Sequence, residues 1–116
     1  MKDINLTAIV PIFNEEKYLF DSVTRLQKTN IFNEIILIDN CSTDESFAIA
    51  QNLKEKDSSI SVLQTNTNSG KASAVQLGLN FVKTSHVITH DADLEYFPED
   101  IVEMFEVAKM HPNDLI

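Results

Sequence analysis

Apolar and polar positions along this chain alternate between two patterns. Short runs rich in β-branched and other apolar residues occur at Leu6–Val10, Glu34–Ile38, Ile60–Leu63 and His86–Thr89. Each is followed by a stretch with helical spacing. Strands that alternate with helices at near-regular intervals predict βαβ units and a parallel sheet. The first helical stretch carries an apolar stripe of Tyr18, Leu19, Val23 and Leu26. Asp44 is placed as an N-cap for the second, which presents Phe47, Ala48, Ala50 and Leu53. The third is expected from Lys71 to Val82, with Val75, Leu77, Leu79, Phe81 and Val82 making an apolar face broader than a stripe. Pro98, Glu99 and Asp100 suit the first turn of a fourth, which would run through Val102, Phe105 and Val107 to Lys109. His111 to Asp114 read as a turn, and Leu115 and Ile116 as the start of another strand. The expectation is therefore a single α/β unit over residues 1–116, a mostly parallel open sheet with flanking helices, forming the N-terminal part of a longer chain.

Composition narrows the function. A chain of 116 residues with 43% apolar content supports one modest core. The net charge of −9 argues against nucleic acid or an anionic membrane surface as the main partner, since both need a basic stripe. No apolar run approaches the length of a membrane span, and the N-terminus has no signal-peptide pattern. The one cysteine, Cys41, cannot form an internal disulfide. A reducing compartment is expected, the cytoplasm, with its membrane face as the place for a longer chain. Cys41 lies in a loop beside acids, not in an electropositive setting, and is not read as reactive.

Candidate chemistry gathers where the strands end. In open parallel sheets, ligands bind beyond the carboxyl ends of the strands. Four segments supply polar residues there: Pro11 to Glu16, Asp39 to Asp44, Thr65 to Lys71, and Asp91 to Glu95. Asp91-Ala92-Asp93 is the most specific of these. Strand alternation points the two carboxylates the same way, and such a pair repels unless a cation lies between them. A hard divalent ion takes oxygen ligands and brings phosphates with it, so the reading is a metal-using binder of nucleotide phosphate. His86 and His90 share a strand face with Ile88 but lack a matching third ligand, so they read as structural or solvent-facing rather than as a zinc site.

The phrases AIVPIFNEEKYL, EIILIDNCSTDES, NSGKASAVQLGL and HVITHDADLEYFPEDI resemble the N-terminal half of family 2 glycosyltransferases, the inverting GT-A group with a Rossmann-like nucleotide-diphospho-sugar fold. The flavour is that of the polyprenyl-phosphate (dolichol-phosphate) mannosyl- and glucosyltransferases. The resemblance implies a UDP- or GDP-sugar donor, Mg2+ or Mn2+, and an acceptor such as polyprenyl phosphate or a growing glycan. By the same resemblance, Pro11, Asn14 and Glu15 line the nucleotide end of the pocket, and Asp39 accepts a hydrogen bond from the base. Asn40 stands where many members carry a second Asp, which leaves uracil or guanine open. Gly70-Lys71 matches a Gly-Lys-Gly element with Ala72 in place of the second glycine, so Lys71 brings positive charge near phosphate. Asp91 becomes a ribose or metal contact and Asp93 the metal ligand. The general base is expected beyond residue 116, and these residues alone are expected to bind nucleotide weakly without turnover.

Two other enzyme classes fit less well. A receiver- or phosphatase-type phosphoryl-transfer domain has an acid at the end of its first strand, where this chain has Val10-Pro11-Ile12. A dinucleotide oxidoreductase needs a glycine-rich turn there, and only Gly70 and Gly78 occur in the chain. A non-catalytic nucleotide-binding module of the same fold remains the alternative.

Overall fold

The computed structural model of this chain describes residues 5–68 and 70–90. Seven elements follow in order: β1 (Leu6–Ile12), α1 (Leu19–Lys28), β2 (Glu34–Asp39), α2 (Ser46–Lys56), β3 (Ile60–Gln64), α3 (Lys71–Leu79) and β4 (His86–Thr89). The four expected strands all form. The expected fourth helix, Asp91, Asp93, Glu95 and the strand start at Leu115 lie outside the described residues.

All strand pairs are parallel, in the order β3-β2-β1-β4. The chain steps outward from β1 to β3, then returns to place β4 on the other side of β1. That reversal puts the switch point of the sheet between β1 and β4, the place where open parallel sheets bind ligands. The register aligns Ile12 with Asp39 and Asp39 with Gln64, so one row crosses three strands at the carboxyl edge.

β1 runs two residues further than its apolar run suggested, through Pro11. Proline in a central strand normally removes a ladder bond. Here Ile9 turns its carbonyl to β4, accepting from the His90 N–H at 2.9 Å, while Ile12 turns to β2, accepting from the Asn40 N–H at 2.8 Å. By alternation Pro11 faces the β4 side, past the last rung at Ile9 and Thr89. Its missing N–H leaves the β2 ladder intact.

Helices cover both faces. Ala8, Val10, Ile12, Ile35 and Leu37 meet Leu19, Val23 and Leu26 of α1 and Ala50 and Leu53 of α2. Ile9, Ile36 and Ile38 meet Ala74 of α3, with Val75, Leu77 and Val82 at the margin. Strand residues buried on both faces explain why the sequence shows continuous apolar runs instead of alternation. Two expectations need correction. Tyr18 lies before α1 and is exposed, and its place on the buried face is taken by Ser22. The third helix ends at Leu79, and Leu79 and Phe81 are exposed, because Ala74 and Gly78 are the residues buried against the sheet. A Cβ at Gly78 would come within 2.5 Å of Ile38 Cδ1 and 3.1 Å of Ile9 Cγ2, so the helix approaches closely only because that side chain is missing.

Candidate functional site at the carboxyl edge of the sheet

Two loops leave the strand ends side by side, residues 13–18 after β1 and 40–45 after β2, and their polar side chains lace them together. The Asn14 side-chain oxygen accepts from the Thr43 N–H at 2.8 Å, and the Asn14 N–H donates to Ser42 Oγ at 2.9 Å. The Glu15 N–H donates to Ser46 Oγ at 2.8 Å. Glu16 bonds to both Asp44 and Glu45: its N–H donates to the Asp44 carboxylate at 3.2 Å, and its carboxylate accepts from the Glu45 N–H at 3.1 Å. Asn14 and Cys41 hold positive φ values of 53° and 65°. Asparagine adopts this region more readily than most residues, which suits a tight turn after a strand.

Asp44 performs the N-terminal duty expected of it, but from one residue further out. The N-cap position is Glu45, and Asp44 accepts from the Ser46 N–H at 2.9 Å. Slight burial acts to raise the Asp44 pKa. Hydrogen bonds from the Ser46 side chain and backbone and from the Glu16 N–H outweigh it and hold the carboxyl below its ordinary value.

Asp39 is fully buried at the end of β2. Alternation places it on the face of Ile35 and Leu37, and the row register brings Gln64 beside it. One carboxylate oxygen, Oδ2, accepts from the Gln64 amide at 3.2 Å and the Ser42 N–H at 3.3 Å. The other, Oδ1, is buried and has no hydrogen-bond partner. A buried carboxylate oxygen without a donor is costly, which makes Asp39 a candidate for contact with a ligand donor.

Asn40 is also buried and is fixed on both sides. Its amide nitrogen donates to Asn68 at 3.0 Å, and its oxygen accepts from the Thr65 hydroxyl at 2.7 Å. Asn68 in turn accepts from the Gly70 N–H at 3.3 Å. This chain of bonds ties the loop after β3 to the end of β2. Gly70 has φ of 93° with open space where a Cβ would stand, and Lys71 begins α3 immediately after it. The positive end of a helix and Lys71 thus lie on an edge otherwise rich in carboxylates.

Below the edge, His90 is buried, and its Nε2 lies 3.2 Å from the hydroxyl of Ser22, itself fully buried in α1. Of the two roles expected, structural or solvent-facing, this histidine takes the first, and it anchors the end of β4 to α1.

Of the residues singled out in the sequence, Pro11, Asn14, Glu15, Asp39, Asn40 and Lys71 all occupy this edge. Asp91 and Asp93 lie outside the described residues. Ser42, Thr43, Thr65 and Asn68 fall inside the polar segments expected at this edge without a role of their own, and Ser46 and Gln64 fall outside them; the side chains or amides of all six fix the named residues. Their only signal was density of hydroxyl and amide side chains in loops that leave adjacent parallel strands.

The family profile described as Glycosyl transferase family 2 matches residues 7–116. This chain belongs to that family. Among the curated relatives, the undecaprenyl-phosphate 4-deoxy-4-formamido-L-arabinose transferase of Sodalis glossinidius is 33% identical over 113 residues, covering 93% of this chain and 35% of the relative. Glycosyltransferase GlyG of Streptococcus pneumoniae is 32% identical over 99 residues, covering 84% of this chain and 33% of the relative. The chain therefore spans about a third of the length of the curated relatives it matches. Among solved structures, S. aureus TarS 1-349 in complex with UDP-GlcNAc superposes with a TM-score of 0.80 at 26% identity, covering 94% of this chain and 32% of that one. The mannosyltransferase PcManGT from Pyrobaculum calidifontis, in complex with GDP-Man and Mn2+, gives 0.74 at 21% identity over 80% of this chain and 28% of that one, a likeness of fold. The α/β architecture expected from the sequence, with GT-A glycosyltransferases as its structural neighbours, is the one observed.

Proposed function

We propose that the carboxyl edge of this sheet binds the nucleotide of a nucleotide-diphosphate-sugar donor, for a glycosyltransferase that passes the sugar to an acceptor such as polyprenyl phosphate or a growing glycan. The observation that carries this reading is Asp39, a buried carboxylate with one oxygen unpartnered at the end of β2. A carboxylate is an acceptor only, so the partner it lacks is an N–H or O–H donor, and a nucleobase ring N–H supplies one. Pro11, Asn14 and Glu15 line the wall on the β1 side, and Lys71 with the start of α3 favours the diphosphate.

Among the described residues, no group of three or more His, Cys, Asp or Glu side chains comes together to hold a metal ion. Asp91 and Asp93 are the proposed ligands, and two carboxylates suit a hard cation such as Mg2+ or Mn2+. When bound, that ion offsets charge on the departing diphosphate. The reaction is displacement at the anomeric carbon with inversion. A polyprenyl phosphate acceptor is already anionic at neutral pH, which lessens the need for a general base. Among the described residues, no helix is long and apolar enough to cross a membrane. A cytoplasmic site, at the inner membrane face when the acceptor is a lipid phosphate, fits the lone cysteine.

Release of UDP or GDP from a panel of sugar nucleotides, with polyprenyl phosphate as acceptor and Mn2+ present, tests the activity. The native protein with whatever sequence accompanies these residues is expected to release one nucleotide and to stop on chelation. Residues 1–116 alone are expected to bind without turnover, because the relatives carry about twice as much further sequence. Sugar transfer by residues 1–116 alone would overturn that division of labour, and no release from any donor by the native protein would overturn the activity.

A further inference from the structure

From the way Asp39 is held, we infer that the site takes uracil in preference to guanine, and that Gln64 is the positioning residue that sets the preference. The inference deepens the reading of Asp39 as the base contact and rests on it. The two bases present different edges. Guanine offers two adjacent donors, N1–H and the N2 amine, which pair with both oxygens of one carboxylate. Uracil offers a single donor, N3–H, between two carbonyl acceptors. Asp39 does not present two vacant oxygens. Its Oδ2 already receives the Gln64 amide at 3.2 Å and the Ser42 N–H at 3.3 Å, and only Oδ1 lacks a partner. One vacant acceptor matches one donor.

The donors beside it complete the match. An amide nitrogen carries two N–H groups, and the Gln64 amide uses one on Asp39, so its second can face a base carbonyl. Uracil has a carbonyl on each side of N3–H. Guanine binding through both oxygens would instead need Oδ2 released, leaving the Gln64 and Ser42 donors without it. The geometry is a direct result of register. Asp39 and Gln64 are paired residues on neighbouring parallel strands, and their side chains fall on the same face. Asn40, the position that left the base undecided in the sequence, is committed to Asn68 and Thr65, so it does not supply a second carboxylate-like contact.

Titration of UDP and GDP into the native protein with Mn2+, beside Gln64→Met and Asp39→Ala, tests this. Gln64 is exposed, and methionine keeps the length of its side chain while removing the donor. Wild type is expected to bind UDP at least about tenfold more tightly than GDP, the scale of one well-made polar contact. Gln64→Met is expected to narrow that ratio to about threefold or less. A residue that merely supports the fold would weaken both nucleotides equally and keep the ratio, which would overturn the role of Gln64. Equal or tighter binding of GDP by wild type would overturn the base preference while leaving Asp39 as a base contact. Asp39→Ala binding both nucleotides as wild type does would instead refute the underlying site, and the preference with it.

Discussion

Asp39→Asn is the most discriminating single change at this site, because the structure predicts a reversal as well as a loss. The amide can place its oxygen where Oδ2 now lies, keeping the Gln64 and Ser42 bonds at 3.2 and 3.3 Å. Its nitrogen then occupies the position of Oδ1, the buried oxygen that has no donor. An acceptor waiting for a donor becomes a donor waiting for an acceptor. Stability should change by no more than about 1 kcal/mol, since both existing bonds survive and no charge remains unpartnered. Uracil binding should fall much further. Its N3–H loses a hydrogen bond to a charged acceptor, worth about 1.5–3 kcal/mol, which is roughly tenfold to a hundredfold in affinity. Cytosine has a lone pair at N3 and an amine at position 4, so it accepts from the new amide N–H. Calorimetric titration of UDP and CDP into wild type and Asp39→Asn should therefore show UDP preferred by the first, and CDP equal or preferred in the second. Unchanged UDP binding by Asp39→Asn, at unchanged folding, would refute the placement of the base against this carboxylate. Loss of folding in the variant would show that the carboxylate acts chiefly in the loop network.

Other consequences follow from the same contacts. Gly78→Val should destabilise the fold by about 3 kcal/mol in urea melts, because its Cβ alone would sit 2.5 Å from Ile38 Cδ1 in a packed core. A neutral result would mean that α3 can withdraw from the sheet. Asn14→Ala should cost about 2 kcal/mol, combining a lost acceptor for the Thr43 N–H with an alanine forced to positive φ, and Asn14→Gly should recover part of it. A glycine variant no better than alanine would remove backbone conformation from that account. Asp57 is held below its ordinary value of 3.8 by hydrogen bonds from Gln27 and Ser59. The stability it lends is thus present above that value and lost as pH falls through the lower folded one. Wild type should exceed Asp57→Asn in stability at pH 6, with the difference shrinking below pH 4; a difference that grows on acidification would contradict the sign.

The strand positions were legible because the parallel sheet buries apolar residues on both faces, which leaves an unbroken run at Ile35 to Ile38 and one interrupted only by the buried Thr7 at Leu6 to Val10. The positions Pro11, Asp39 and Lys71 were legible because βα topology sends every strand end to one edge, whatever the contacts. Packing details were less so. The third helix was assigned too long because Leu79 and Phe81 are apolar yet exposed, while the buried face is made by Ala74 and Gly78, whose small size hides them in any apolar count. The sequence marks Asp44 as a helix-start residue, but its bridging of Ser46 and Glu16 from outside the cap position depends on how the two loops meet. The pairing of Gln64 with Asp39 depends on strand register, and a one-residue slip would have turned that glutamine to the other face. Register is set by long-range pairing, so no local pattern announced it.

The proposed role of this edge is to bind nucleotide through Asp39, with Asp91 and Asp93 as the proposed metal ligands. Titrating UDP and GDP into the protein with and without Mn2+, beside Asp93→Asn, tests it most directly. Binding is expected to strengthen with Mn2+ and to lose that response in Asp93→Asn. Binding that is indifferent to both the ion and the substitution would contradict the role of the pair, and binding of neither nucleotide by the native protein would contradict the site itself.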